Sequence, residues 1–74
     1  MSGEGLARGL SRLGYQVTRQ TGSHIRLTLA EPPQHHLTIP AHAELKAGTL
    51  SAILSMAAER LQISKEQLLT ALKL

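Results

Sequence analysis

Hydrophobic positions over residues 4–13 recur at the spacing of an amphipathic helix. Leucines fall at i, i+4 and i+7: Leu6, Leu10 and Leu13. Ser2 or Gly3 can begin this helix. Gly14 can end it, because glycine commonly follows the last helical residue. The pattern therefore predicts a first helix.

Residues 15–20 and 24–29 both alternate large and polar side chains with period two, and the short segment Thr21-Gly22-Ser23 separates them. Two alternating runs joined by a Gly-containing turn are typical of a β-hairpin. In the second run the side chains predicted to face the core are Ile25, Leu27 and Leu29. Those predicted to face the other way are His24, Arg26 and Thr28.

A third strand is predicted over residues 36–39, after the segment Glu31-Pro32-Pro33-Gln34 and before Pro40. Proline ends strands because it cannot donate to a hydrogen-bonded ladder. Leu37 and Ile39 are expected in the core, with His36 and Thr38 on the opposite face. We expect an antiparallel sheet of three strands with helices covering one face.

The C-terminal part predicts two more helices. After a loop over residues 41–48, Thr49 resembles an N-cap, and an apolar stripe follows: Leu50, Ile53, Leu54, Ala57 and Leu61. Residues 64–67 match the S-x-x-Q capping box and predict a short helix from Lys65. Its leucines are expected on one face: Leu68, Leu69 and Leu72. The order α-β-β-β-α plus a short C-terminal helix predicts one α+β domain over residues 1–74.

Size and composition restrict the kind of site. A chain of 74 residues buries only about 60% of its unfolded surface, which favours a shallow surface site over a deep cofactor cavity. No cofactor is therefore expected. The single Tyr15, with no Phe or Trp, leaves little aromatic surface for stacking on unpaired bases. An RNA ligand would have to be held through its backbone and shape.

Charge and cysteine content point to a basic intracellular protein. The net charge is +3, and four arginines lie in the first 26 residues: Arg8, Arg12, Arg19 and Arg26. This asymmetry suggests a polyanion on one face. The absence of cysteine excludes disulfides and thiolate metal sites. No apolar run approaches the roughly 20 residues of a membrane span, and no secretory signal is visible, so the cytoplasm is expected.

The four histidines, at positions 24, 35, 36 and 42, allow three interpretations. A metal site is disfavoured, because no helical His-x3-His pair or nearby Asp or Cys is present and His35 and His36 would point to opposite sides of a strand. General acid–base catalysis is the second, since histidine titrates near neutrality. The third is a solvated side chain or a local hydrogen-bond partner, the commoner role of a histidine that begins a strand, as His24 does; His35, beside the Pro-Pro turn, is expected to be solvated.

His24 has the best setting for acid–base chemistry on RNA. The 2′-hydroxyl of RNA can attack the adjacent phosphorus once a base removes its proton, with no metal required. Gly22 removes bulk from the turn, and Ser23 offers a hydroxyl and a backbone N–H to phosphate oxygens. Arg26 would share a strand face with His24 and could neutralise phosphate charge.

The runs GLSRLGYQVTRQTGSHIRLTL and LTIPAHAELKAGTLSAIL resemble the HicA (YcfA-type) family, small mRNA interferases of prokaryotic toxin–antitoxin pairs. The matching motifs are Gly14-Tyr15, Arg19 with Gly22-Ser23-His24, Ile39-Pro40-Ala41-His42, and Gly48-Thr49-Leu50. The resemblance spans about residues 5–58. It implies a fold similar to a double-stranded-RNA-binding domain, mRNA cleavage with His24 as the catalytic residue, and a HicB-type antitoxin that covers the site.

Two residues after the third strand are further candidates. His42 lies where the family often has histidine and could contact phosphate or act as an acid, although a loop histidine bonded to backbone is an equal alternative. Lys46 precedes the second long helix, whose N-terminus attracts anions. With Arg19, Gly22, Ser23 and Arg26, these complete the predicted RNA-binding set. A non-catalytic RNA-binding module and a protein-interaction domain remain alternatives, and the oligomeric state is open.

Overall fold

The computed structural model describes residues 1–72. Its elements are α1 (Gly3–Ser11), β1 (Gln16–Thr21), β2 (His24–Leu29), β3 (His35–Pro40), α2 (Ala47–Leu61) and α3 (Lys65–Leu72). The order α-β-β-β-α-α, with an antiparallel sheet of three strands, confirms the predicted α+β fold and the extra C-terminal helix. Each predicted strand and helix is present, with boundaries that differ by a few residues.

The sheet has the strand order β1-β2-β3, and the helices pack against one of its faces. Side chains from that face and from the helices form one core cluster. Its largest fully buried members are Tyr15, Leu6, Leu10, Leu27, Leu37, Ile39, Leu68 and Leu72. The core is therefore aliphatic apart from one tyrosine, and the second face of the sheet is left uncovered by helices.

A β-bulge in β1 decides which face Arg19 occupies. Val17 pairs with Leu27 and Arg19 pairs with Arg26, so Thr18 is an extra residue between two paired positions. Strict alternation from Val17 would place Arg19 on the helix side, because successive side chains in a strand point to opposite faces. The bulge shifts the register by one residue and brings Arg19 to the uncovered face beside Arg26.

The helix starts follow from local hydrogen bonds. The Ser2 hydroxyl accepts from the Gly5 N–H at 2.9 Å and caps α1, as predicted. The predicted N-cap Thr49 is wrong: α2 begins at Ala47, and its N-cap, three residues before Thr49, is Lys46, which makes no side-chain cap bond. The wrong assignment came from residue type alone, since threonine is a favoured N-cap and lysine is not.

The predicted capping box of α3 is confirmed. The Gln67 N–H donates to Ser64 Oγ and the Ser64 N–H donates to Gln67 Oε1, both at 2.9 Å. One buried face of α3 carries Leu68 and Leu72, but Leu69 is 41% exposed, so its predicted place on the apolar face is wrong. Residues one apart on a helix differ by about 100° in direction, which turns Leu69 away from the core.

Three of the leucines predicted as core lie at its edge. They are only half-buried and pack against the cluster: Leu13, Leu50 and Leu61. No helix within residues 1–72 is long and apolar enough to cross a membrane.

Candidate functional site

His24 is the first residue of β2 and follows a tight turn in which Gly22 has φ +53°. This left-handed backbone conformation is one that glycine adopts at little cost. The Cα of His24 pairs with that of Pro40, and Ala41 N donates to the carbonyl oxygen of Ser23 at 2.6 Å. The turn is thus fastened to the end of β3, and His24 is held at the end of the sheet.

The uncovered surface of the sheet, here called the open face, carries polar side chains from the three strands. Its members are Thr18, Arg19, Thr21, His24, Arg26, Thr28, His36 and Thr38. Five of them line one shallow cavity of about 260 Å³: Arg19, Thr21, His24, Arg26 and Thr38. The structure therefore brings together His24 and the two arginines that the sequence selected.

Arg19 and Arg26 lie directly opposite each other on neighbouring strands, and both are exposed. Like charges in opposed positions of a sheet destabilise it. Neither guanidinium forms an ion pair with a carboxylate of residues 1–72. A pair of arginines held together in this way produces a local positive potential that an anionic ligand would relieve.

The other predicted contact residues do not line this cavity. Gly22 and Ser23 form the turn before His24. His42 is exposed and comes two residues after Pro40, the partner of His24; its backbone carbonyl accepts from the Gly3 N–H at 2.9 Å. Lys46 is exposed at the start of α2.

His35 faces the helix side and is not a solvated residue, which corrects its predicted place. It is half-buried, its Nδ1 is 2.8 Å from the Tyr15 hydroxyl, and the two rings meet edge to face. Burial raises the pKa of the Tyr15 phenol above its ordinary value of 10.0, while the charge of Arg60 opposes the shift. The pair supplies a hydrogen-bond partner for a buried phenol and is a structural contact.

Sequence reasoning missed a chain of hydrogen bonds on the open face. Thr18 Oγ1 and Thr28 Oγ1 are 2.8 Å apart, and Thr28 Oγ1 is 2.9 Å from His36 Nδ1. Thr28 is 7% exposed, a buried hydroxyl on an otherwise solvent-facing surface. The alternation of β2 and β3 placed Thr28 and His36 on this face, but the contact of Thr18 depends on the bulge.

A larger groove of about 340 Å³ lies between α1 and the exposed edge of the sheet. It is lined by Glu4, Ala7, Arg8, Ser11, Val17, Gln20 and Ile25. The groove holds no histidine, so the acid–base chemistry is better placed in the smaller cavity beside His24. Within residues 1–72 no group of three or more His, Asp or Glu side chains is arranged to hold a metal ion.

Comparisons with known proteins identify the family. A comparison with curated proteins and one with solved structures gave no match, so the expected likeness to a double-stranded-RNA-binding domain stays a prediction. The family model of the HicA toxin of bacterial toxin–antitoxin systems matches residues 4–58. That range contains α1 except Gly3, the whole sheet and most of α2, and it includes each open-face residue. Membership implies an antitoxin partner. The chain belongs to the HicA toxin family.

Proposed function

We propose that this protein is the toxin of a type II toxin–antitoxin pair and cleaves mRNA without a metal ion, with His24 as its catalytic residue. The observation that carries the proposal is the cavity in which His24 lies with Arg19 and Arg26. Membership of the HicA family supports it, since toxins of this kind act on RNA. An acid–base group beside two unpaired cations suits a phosphodiester better than a neutral substrate.

In the proposed reaction an imidazole nitrogen of His24 removes the proton of a 2′-hydroxyl. The 2′-oxygen then forms a bond to the adjacent phosphorus, and the bond from phosphorus to the 5′-oxygen of the next nucleotide breaks. A proton must reach the departing 5′-oxygen, and the products are a 2′,3′-cyclic phosphate and a 5′-hydroxyl. No outside oxidant, metal or water is consumed in this step.

Arg19 and Arg26 hold the phosphate that is cut. Charge develops on its non-bridging oxygens during the attack, and guanidinium groups that are already in place stabilise that charge without reorganisation. Gly22 and Ser23 let the backbone approach the RNA closely, because the turn carries no large side chain. His42 and Lys46, both exposed beyond the cavity, contact phosphates farther along the strand.

The antitoxin is of the HicB type and covers the open face, which would exclude RNA from His24. The same exposed positive potential that attracts RNA would attract acidic side chains of the antitoxin. RNA and antitoxin should therefore compete for this face. A reading frame for a HicB-like protein beside the gene would identify the partner to be co-expressed.

The test is incubation of the purified protein with a long transcript in EDTA, followed by fragment mapping. We expect cleavage by the wild type, loss of at least a hundredfold in rate for His24→Ala, and no cleavage at a site whose 2′-hydroxyl is replaced by hydrogen. His24→Ala should still bind the transcript, which separates loss of chemistry from loss of folding.

Two outcomes would overturn the proposal. Cleavage by His24→Ala at the wild-type rate would remove His24 from the mechanism. Binding of the transcript by the wild type with no fragments would favour a non-catalytic RNA-binding module. A protein that binds its antitoxin but no RNA, with little dependence on salt, would be an interaction domain, because phosphate contacts weaken steeply as salt rises.

A further inference from the structure

His36 is a second histidine on the open face, outside the cavity of His24. It pairs with Thr28 across β2 and β3, two residues along β3 from Thr38, which lines the cavity. Along β2, the separation from His24 to Thr28 is about 13 Å at about 3.3 Å per residue. His36 is thus too far away to act on the bond that His24 would cut, but it lies on the same continuous surface.

The Thr18–Thr28–His36 chain fixes the orientation of the His36 ring. Thr28 Oγ1 is 2.9 Å from Nδ1, so Nδ1 is turned toward the sheet. Nε2 is on the opposite side of the ring and points away from Thr28. Since His36 is exposed, Nε2 is available to a ligand on the open face.

The direction of the hydrogen bonds in the chain determines which nitrogen of neutral His36 carries the ring proton. The Thr18 hydroxyl has one proton and two acceptors in reach, Thr28 Oγ1 at 2.8 Å and the Arg26 carbonyl at 3.5 Å. In one arrangement the shorter contact takes the proton, since a hydroxyl hydrogen bond at 3.5 Å is weak. Thr28 then accepts from Thr18 and donates its own proton to Nδ1, so the ring proton of the neutral imidazole lies on Nε2. In the reverse arrangement Nδ1–H donates to Thr28, Thr28 to Thr18, and Thr18 to the Arg26 carbonyl.

The same chain can reverse if His36 becomes charged. Nδ1–H would then donate to Thr28, the Thr28 hydroxyl to Thr18, and the Thr18 hydroxyl to the Arg26 carbonyl. With the first arrangement in the neutral ring, Nε2 carries a hydrogen in both protonation states and can only donate. The open face then presents an N–H donor at this position, next to the positive potential of Arg19 and Arg26.

We propose that neutral His36 has its ring proton on Nε2 and binds a backbone phosphate of the RNA through Nε2–H, at least one nucleotide away from the cut, with Thr18 and Thr28 positioning its ring. This rests on the proposed function in that the ligand is RNA. A fixed donor suits an acceptor-only group, and phosphate oxygens are such a group. The open face then becomes a binding path that runs from His24 past Arg26 to His36.

The first test uses the free full-length protein and needs no RNA. Nitrogen-15 NMR of the imidazoles distinguishes a neutral ring protonated at Nε2 from one protonated at Nδ1. We expect His36 in the Nε2–H form in the wild type, and a mixture of the two forms in Thr28→Val, which keeps the shape of the side chain but loses the hydroxyl. A wild-type His36 protonated at Nδ1 would overturn the inference.

The second test measures affinity for a labelled single-stranded RNA oligonucleotide in a His24→Ala background. Glutamine can place an amide N–H near the position of Nε2, whereas asparagine places it near Nδ1. We expect His36→Gln to retain affinity, and His36→Asn and His36→Ala to lose about tenfold, the effect of one hydrogen bond to a charged group. Thermal unfolding of each variant serves as the control for folding.

The outcomes separate this inference from the proposed function. Equal affinities for the glutamine and asparagine variants would overturn the role of His36 even if His24 proves catalytic. A clear difference between them would support it even if the protein binds RNA without cutting it. A His24→Ala protein with no measurable affinity for the oligonucleotide would overturn both the phosphate contact and the RNA-binding part of the proposed function.

Discussion

Ala41 donates its backbone N–H to the carbonyl oxygen of Ser23 at 2.6 Å. This bond joins the turn before His24 to the segment after β3. The two segments belong to separate sequence motifs, Gly22-Ser23-His24 and Ile39-Pro40-Ala41-His42. The position of His24 therefore depends on the backbone of the turn as well as on the strand pairing that follows it. A substitution in the turn should therefore displace His24 in its cavity more than it disturbs the packing of the hydrophobic core.

Gly22 provides the first prediction, because its φ of +53° is unfavourable for most side chains. A Cβ at this position would meet no atom within 4 Å, so the cost of a substitution is conformational and not steric. We expect Gly22→Ala to destabilise the protein by about 1–2 kcal/mol, and Gly22→Asn by less, since asparagine tolerates this conformation. Chemical denaturation measures the difference.

RNA cleavage by the two variants adds a functional readout. Gly22→Ala should lower cleavage more than its loss of stability explains, because the turn carries His24, while Gly22→Asn stays close to the wild type. Equal stability of the two variants would show that the left-handed turn is not kept in solution.

The opposed arginines give a prediction about salt. Arg19→Gln and Arg26→Gln should each weaken RNA binding and reduce the slope of log affinity against log salt by about 0.7, the value for one phosphate contact on a single strand. Arg8 on α1 is exposed and lies off the open face, so Arg8→Gln is the matched control. An equal change of slope in all three variants would indicate a diffuse charge effect and no defined contact.

The sequence predicted which face of the sheet the side chains of β2 and β3 occupy, but it made no such prediction for β1. In β2 and β3 the alternation of Leu27 and Leu37 with polar neighbours matches the structure, because one face is buried and the other, apart from Thr28, is exposed. In β1 each residue is exposed, so burial imposes no pattern that would reveal the bulge at Thr18. The excess of N-terminal arginines and the family motif of Arg19 with Gly22-Ser23-His24 identified Arg19 as a candidate. Its place beside Arg26 is a consequence of strand pairing.

The candidate site was likewise predictable from the sequence only in part. Residue type and turn chemistry marked His24 as a candidate, and the resemblance to the HicA family made it the predicted catalytic residue. The predicted strand face placed Arg26 with it, and both line the same cavity. His36 could not be selected, since its distinguishing feature is a bond to Thr28 from another strand. The Tyr15–His35 contact was missed for the same reason, because Tyr15 precedes β1 and His35 begins β3.

Helix α3 lies beyond the matched range of residues 4–58 but belongs to the core. Arg12 Nη2 donates to the Leu72 carbonyl at 2.8 Å, which ties α1 to the end of α3. Leu68 is fully buried and the adjacent Leu69 is 41% exposed. We expect Leu68→Ala to cost about 2–5 kcal/mol and Leu69→Ala less than about 0.5 kcal/mol.

Denaturant unfolding of the two leucine variants checks this prediction. Both variants lose the same side-chain atoms and lie at adjacent positions of α3, so the difference between their stabilities reports the effect of burying the leucine side chain. Similar stabilities would mean that α3 does not pack on the core in solution.

Tyr15 allows the last prediction to be tested by light absorption, because it is the only tyrosine and the chain has no tryptophan. Burial raises the pKa of its phenol above 10.0 in the folded protein. Above pH 10.0 the unfolded chain releases this proton and the folded protein keeps it. The unfolded state then binds fewer protons, so the free energy of unfolding falls as pH rises from 10.0 to the pKa of the folded state.

A titration of the phenolate absorbance should have its midpoint above pH 10.0 in buffer and near 10.0 in concentrated urea. The variant Tyr15→Phe is the control for stability, since its lysines titrate in the same range but it has no phenol. The wild type should lose more stability than Tyr15→Phe between pH 10 and the folded midpoint. Coincident titration curves in buffer and in urea would place the phenol in solvent and contradict its contact with His35.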